Sequence, residues 1–219
     1  MCPRRRMLLN LGMHLFPEID HTFKSFRKRA ISAERKSLLE PIIEYMVTQI
    51  SKEKIAKLNF ICTHNSRRSQ FSQIWAQVAA YYFNLPVESY SGGVEVTEFN
   101  ARAVEALQRA GFEIKSTGDN NPIYELSFAK KEKPIVAFSK VFDDESNPKS
   151  SFAAIMTCDH ADETCPFIPG CEARIPLRFE DPKKFDETPL ESKMYSERSQ
   201  EIASELFFAF EQVQKLVKK

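Results

Sequence analysis

The sequence predicts an α/β protein: a parallel sheet with helices packed on both faces. Three observations carry this. Short apolar runs alternate with segments of helical period. The run 152–157 is apolar in the manner of a strand buried on both faces. At 219 residues the chain is long enough for one sizeable core.

Residues 1–57 read as an added helical segment. Leu38, Leu39, Ile42, Ile43, Met46, Val47 and Ile50 keep helical spacing, Pro41 marks a start or a kink, and Ser32 is placed to cap an earlier turn. Before them Arg4, Arg5 and Arg6 precede an apolar stretch interrupted by Asn10 and His14. That segment reads as a leader or a misplaced start, with Met7 or Met13 as alternative first residues. The main domain, 58–219, opens with a strand at 58–61. From Ser69 onward Phe71, Ile74, Trp75, Val78, Ala79 and Tyr82 form one buried helical stripe. Residues 87–90 read as a second strand, ended by Gly92 and Gly93, and Asn100 N-caps a helix that stops at Gly111. An insertion at about 119–150 reads as a β-hairpin: strands 123–128 and 135–142 around the charged turn 130–133. A strand at 175–179 follows the apolar run. The tail from Glu191 is a long helix with Ile202, Leu206, Phe210, Val213 and Val217 on one side.

Charge and cysteine content exclude several classes. With 31 Lys+Arg against 30 Asp+Glu there is no electrostatic basis for a nucleic-acid partner. No apolar run is long enough to span a bilayer. Five cysteines cannot be fully paired within one chain, and a core of this size needs no staples. The thiols therefore read as chemistry in a reducing compartment, and the expected location is the cytoplasm.

In parallel sheets the site lies at the carboxyl ends of the strands. Cys62 follows the first strand there, and the loop runs Cys62-Thr63-His64-Asn65-Ser66-Arg67-Arg68-Ser69 into a helix. A loop at a helix N-terminus turns backbone N–H groups inward and carries the positive end of the helix dipole. That arrangement binds a tetrahedral oxyanion and stabilises a thiolate nucleophile at Cys62. Arg68 supplies a planar fork for two oxyanion oxygens. Ser69 is placed to donate to the sulfur, and Asn65 to brace the loop. A bare cysteine and arginine at this spacing is also compatible with a buried strand-end thiol and solvated arginines. The flanking strand and amphipathic helix favour the anion loop.

On these residues the sequence resembles the phosphate loop of low-molecular-weight protein tyrosine phosphatases and of their relatives, the thioredoxin-coupled arsenate reductases. Cys62-Thr63, Asn65-Ser66 and Arg68-Ser69-Gln70 are similar to the reductase version, as is Ser89-Tyr90-Ser91-Gly92-Gly93-Val94-Glu95. The resemblance covers roughly residues 58–215. It implies a three-layer sandwich around a central parallel four-stranded sheet, with the N-terminal helical extension and the hairpin-like insertion outside the pattern. It also implies Asp181, in Asp181-Pro182, as the general acid, although Asp-Pro is equally a common turn pair.

Cys158 and Cys165 separate the two branches. The reductases carry two further cysteines seven positions apart in a mobile segment, and these two have that spacing. The resemblance implies a relay. Cys62 attacks arsenate, Cys158 attacks Cys62 to release arsenite, and Cys165 attacks Cys158 to give a disulfide that a thioredoxin-like reductant reopens. The alternatives are a phosphatase working through a Cys62 phosphoenzyme, and a non-catalytic oxyanion-binding or redox-sensing module. A zinc site of Cys158, His160, Cys165 and Cys171 has wider spacings than structural zinc knuckles. The expectation is no metal and no cofactor, and Cys171 reads as a neutral core cysteine or a spare resolving thiol. The chain departs from the pattern at His64, usually glycine, and at Arg67, usually small or cysteine, which either adds anion attraction or faces solvent. Gln73 stands where some reductases use a glutamate to help hold potassium, and Lys183-Lys184-Phe185 replaces the paired tyrosines of many tyrosine phosphatases.

Overall fold

The structure is a computed structural model and describes residues 14–27, 29–164 and 167–218. The first half of the chain runs α1 (Pro17–Phe26), α2 (Ala33–Ser51), β1 (Ala56–Cys62), α3 (Arg68–Phe83), β2 (Val87–Gly93) and α4 (Ala101–Arg109). It continues through β3 (Glu113–Thr117), β4 (Ile123–Ser127), β5 (Ile135–Ala137), β6 (Phe152–Met156), α5 (Asp159–Thr164), β7 (Cys171–Pro176), a 3₁₀ turn (Pro182–Phe185) and α6 (Glu191–Val217). The central sheet is four-stranded and parallel throughout, in the order β2-β1-β6-β7.

Side-chain alternation divides this sheet between two cores. Leu58 and Phe60 of β1 and Ala153 and Ile155 of β6 join a large core with residues of α1, α2, α3, α4 and α6. Ile61, Ala154 and Met156 join a smaller one with Cys62, Cys158, Ala161 of α5 and Ile168. The helices expected as an N-terminal extension thus share the large core with α6. Phe23 of α1 and Phe207 of α6 stack at a centroid separation of 4.7 Å, and Phe207 also packs on Phe26, Trp75, Tyr82 and Phe83.

Several elements differ from the sequence reading, each for a physical reason. Ser32 caps α2 itself, accepting from the Arg35 N–H at 3.2 Å. The helix runs through Pro41, which removes one hydrogen bond without ending it. Helix α3 is buried on nearly every side and not along one stripe, because it lies between β1, β2 and α6. The insertion contains the expected hairpin of β4 and β5, and β3 adds a third antiparallel strand to it. In β3 only Ile114 is apolar, so no alternation was visible; its backbone pairing with β4 makes it a strand. The last sheet strand is Cys171–Pro176, earlier than residues 175–179. As an edge strand it is half-exposed, with Ile175 its one buried residue. Residues 177–179 still follow β6, through Leu177 N–H to Met156 C=O (2.9 Å) and Phe179 N–H to Thr157 C=O (3.1 Å). Among the described residues no helix is long and apolar enough to cross a membrane.

Candidate active site

From β1 the chain crosses to β2 on one side, and from β6 to β7 on the other. The crevice between the carboxyl ends of β1 and β6 is therefore the topological switch point, where α/β sheets bind ligands. Cys62 ends β1, Cys158 follows β6, and Asp181 follows the segment that extends β7. Cys62, Thr63, His64, Ser66, Arg67, Arg68 and Asp181 line one cleft at this edge.

A chain of hydrogen bonds leads to the sulfur. The Lys140 N–H donates to Asn65 Oδ1 at 3.0 Å, which orients the amide so that Nδ2 donates to Ser69 Oγ at 2.8 Å. Ser69 Oγ lies 3.0 Å from Cys62 Sγ. That hydroxyl accepts from Asn65 and keeps its own proton available, so it is the donor whenever the sulfur is ionised. All three side chains are buried. Asn65 has φ +47°, a left-handed conformation that asparagine tolerates better than most residues. Gln70 Nε2 donates to the carbonyls of Asn65 and Phe138, each at 2.9 Å, and Ser139 Oγ donates to the His64 carbonyl at 2.9 Å. Gly93 passes so close behind the loop that a Cβ there would meet Asn65 N and Thr63 O at 2.8 Å. The His64 ring turns outward to Glu95, with Nε2 to Oε2 at 3.4 Å. Gln73 is satisfied as a neutral amide, accepting from Ser91 Oγ at 2.5 Å and donating to the Val136 carbonyl at 3.3 Å.

The two arginines converge on Asp181. Arg67 Nε donates to Oδ1 at 2.9 Å and Arg68 Nη2 to Oδ2 at 2.8 Å, while Arg68 Nη1 donates to the Phe179 carbonyl at 3.0 Å. Arg67 is thus buried against the carboxylate and does not face solvent, one of the two readings its sequence position allowed. The Lys183 N–H adds a second bond to Oδ1 at 3.0 Å, making Asp181 the N-cap of the 3₁₀ turn. Burial pushes the Asp181 carboxyl up, but the Arg68 and Arg67 charges and the Lys183 N–H outweigh it and hold the group below its ordinary value. In this arrangement Asp181 is an ionised acceptor.

Cys158 is buried beside the loop. Its Sγ lies 3.5 Å from Thr63 Oγ1 and accepts from the Ala161 N–H at 3.4 Å. Thr63 Oγ1 also lies 3.3 Å from His160 Nδ1, so the residue after Cys62 touches both Cys158 and His160. The register explains the proximity: Ile61 pairs with Met156, and the Thr157 N–H and hydroxyl both donate to the Ile61 carbonyl. Two residues beyond the Ile61–Met156 pair, Thr63 comes alongside Cys158. Cys165 lies outside the described residues. Cys171 opens β7 opposite Phe152, at the amino-terminal end of the sheet and away from this edge.

The loop residues Cys62 to Ser69, with Cys158 and Asp181, thus meet at one edge. Lys140 and Ser139 were not anticipated. They hold the loop from the inserted region, one through a backbone N–H and one through a hydroxyl, and neither leaves a motif. The link between Arg67 and Asp181 joins residues 114 positions apart, so local sequence carries no sign of it.

No family model matches the chain. It is 30% identical over 128 residues to an arsenate reductase of Staphylococcus aureus (strain Newman), covering 56% of this chain and 76% of that protein. It is 28% identical over 129 residues to an arsenate reductase of Halalkalibacterium halodurans, covering 59% and 76%. Among solved structures, YwlE arginine phosphatase from Geobacillus stearothermophilus superposes with a TM-score of 0.49 at 18% identity, covering 74% of this chain and 96% of that one.

Proposed function

Because the chain belongs to the low-molecular-weight protein tyrosine phosphatase superfamily, on its arsenate reductase side, we propose that it reduces arsenate to arsenite with Cys62 as nucleophile. The Cys62 thiolate displaces one oxygen of arsenate and forms an S–As bond, while Asp181 supplies the proton with which that oxygen leaves as water. Inward loop amides and the Arg68 fork hold the remaining oxygens. Cys158 then attacks Cys62 Sγ. The S–As bond breaks with its electron pair left on arsenic, so arsenic(V) becomes arsenic(III) and the two thiols become a disulfide. Cys165 attacks Cys158, frees Cys62, and passes the disulfide to a thioredoxin-like reductant.

The observation that carries this reading is the burial of Cys158 against Thr63, the residue next to the nucleophile. Cys158 follows the strand paired with that of the nucleophile, and its Sγ lies 3.5 Å from Thr63 Oγ1. A phosphatase that releases phosphate to water has no use for a second thiol there.

The test follows NADPH loss in the presence of thioredoxin and its reductase, with and without arsenate, beside hydrolysis of p-nitrophenyl phosphate. The expected result is arsenate-dependent NADPH loss that vanishes in Cys158→Ser. Hydrolysis without arsenate-dependent NADPH loss in the unaltered protein would replace this reading with the phosphatase. Silence in both assays would leave an oxyanion-binding module.

A further inference from the structure

We infer that Arg67 is a positioning residue, holding Asp181 at the mouth of the loop when an oxyanion takes Arg68 from it. The inference rests on the reading of Cys62 and Arg68 as the reacting centre.

The Asp181 carboxylate sits where a substrate anion would compete with it. It bonds the Arg68 fork inside the cleft that Cys62, Arg68 and Asp181 line, so an oxyanion beside Cys62 meets the same guanidinium. Two anions cannot both claim that guanidinium at full strength, so anion binding displaces Asp181 from Arg68. The two carboxylate oxygens respond differently. Oδ1 is anchored twice, by Arg67 Nε at 2.9 Å and the Lys183 N–H at 3.0 Å. Oδ2 is held by Arg68 Nη2 at 2.8 Å. Losing Arg68 therefore frees Oδ2, while Oδ1 stays tied to Arg67 and to the 3₁₀ turn.

This hand-over assigns the proton to an atom. Oδ2 has lost its cationic partner, takes up one proton from solvent before the chemical step, and becomes the oxygen that carries the acidic proton. As the Sγ–As bond forms and the As–O bond breaks, the Oδ2 proton passes to the departing oxygen, which leaves as water, and Asp181 ends ionised and returns to Arg68. Arg67 is suited to the anchor because its Nε–H points along a fixed direction in the guanidinium plane, which a lysine ammonium does not reproduce. The side chain is also nearly enclosed, at 10% exposure.

The experiment is a double-mutant cycle on arsenate turnover with thioredoxin saturating. It uses Arg67→Gln, Asp181→Asn and the double variant, with folding of each checked by urea titration. Arg67→Gln is expected to lower kcat about tenfold or more while KM for arsenate moves less than about threefold. In the Asp181→Asn background the same change is expected to cost less than about twofold, since the anchor no longer has an acid to hold. Arg67→Lys, run through the same cycle, is expected to show the same pattern with a smaller kcat loss, and it serves if Arg67→Gln does not fold. A raised KM with kcat kept would mean that Arg67 binds the substrate itself, and full additivity in the double variant would mean that it acts without Asp181. Either result overturns the hand-over while leaving the reductase reading intact. An unaltered protein with no arsenate turnover overturns both.

Discussion

A single hydroxyl, that of Ser69, joins the scaffold of the loop to its sulfur. It accepts from Asn65 at 2.8 Å and lies 3.0 Å from Cys62 Sγ, within reach to donate to the sulfur as it reacts. A hydrogen bond to a charged group contributes about 1.5–3 kcal/mol. Ser69→Ala is therefore expected to lower kcat/KM for arsenate roughly 10- to 100-fold without unfolding the protein. Steady-state kinetics beside a urea midpoint measure this, and an unchanged rate would show that the hydroxyl does not serve the sulfur. At this scale the sequence is informative about residue types. Cysteine, asparagine, arginine and serine at these spacings already suggest an anion loop. Which oxygen of Asp181 faces which arginine is a matter of long-range packing, and nothing near Asp181 in the chain encodes it.

Elements place these residues, and β2 does so by what it lacks. A Cβ on Gly93 would meet Glu95 O at 2.5 Å and Asn65 N and Thr63 O at 2.8 Å, all backbone atoms that cannot swing aside. Gly93→Ala is expected to destabilise the fold by about 1–3 kcal/mol through overpacking. It should also cut arsenate turnover, because the atoms pushed belong to the loop. Denaturant unfolding and turnover of the variant test the two effects together, and a fully active, fully stable variant would remove Gly93 from the loop's support. Helix ends were legible where chemistry is local: Asn100 caps α4 and accepts from the Arg102 N–H at 3.0 Å, and Gly111, at φ +105°, follows its end. Strand β3 and the start of β7 were not legible, since a polar or half-exposed edge strand is defined by its hydrogen-bonded neighbour more than by its own side chains.

Across the whole molecule, the inserted region braces the sheet edge that carries Cys62, and Lys140 stands at that junction. Its backbone bonds Asn65 and Gly93, while its ammonium is buried 4.5 Å from the Phe138 ring centroid. Burial pushes Lys140 down to about 8, against a smaller upward pull from Asp144. Between that value and the ordinary lysine value the unfolded chain holds more protons than the folded one, so stability rises with pH. The cost of burying the charge is fully present below about pH 8 and disappears as the pH climbs toward the ordinary lysine value. Lys140→Met is expected to raise neutral-pH stability by about 1–3 kcal/mol and to flatten the alkaline rise. Urea midpoints at about pH 7 and about pH 10 check this, and an unchanged slope would mean that the ammonium is solvated. The α/β class, the parallel sheet, the long C-terminal helix and the strand–loop–helix frame around Cys62 follow from the sequence alone, because period, capping and motif spacing are properties of neighbours along the chain. Tertiary structure alone decided that α1 and α2 share the core of α6, that Cys158 lies against Thr63, and that Asp181 is clamped between two arginines. Those contacts join residues distant in sequence, and only the packing of sheet and helices brings their atoms within bonding distance.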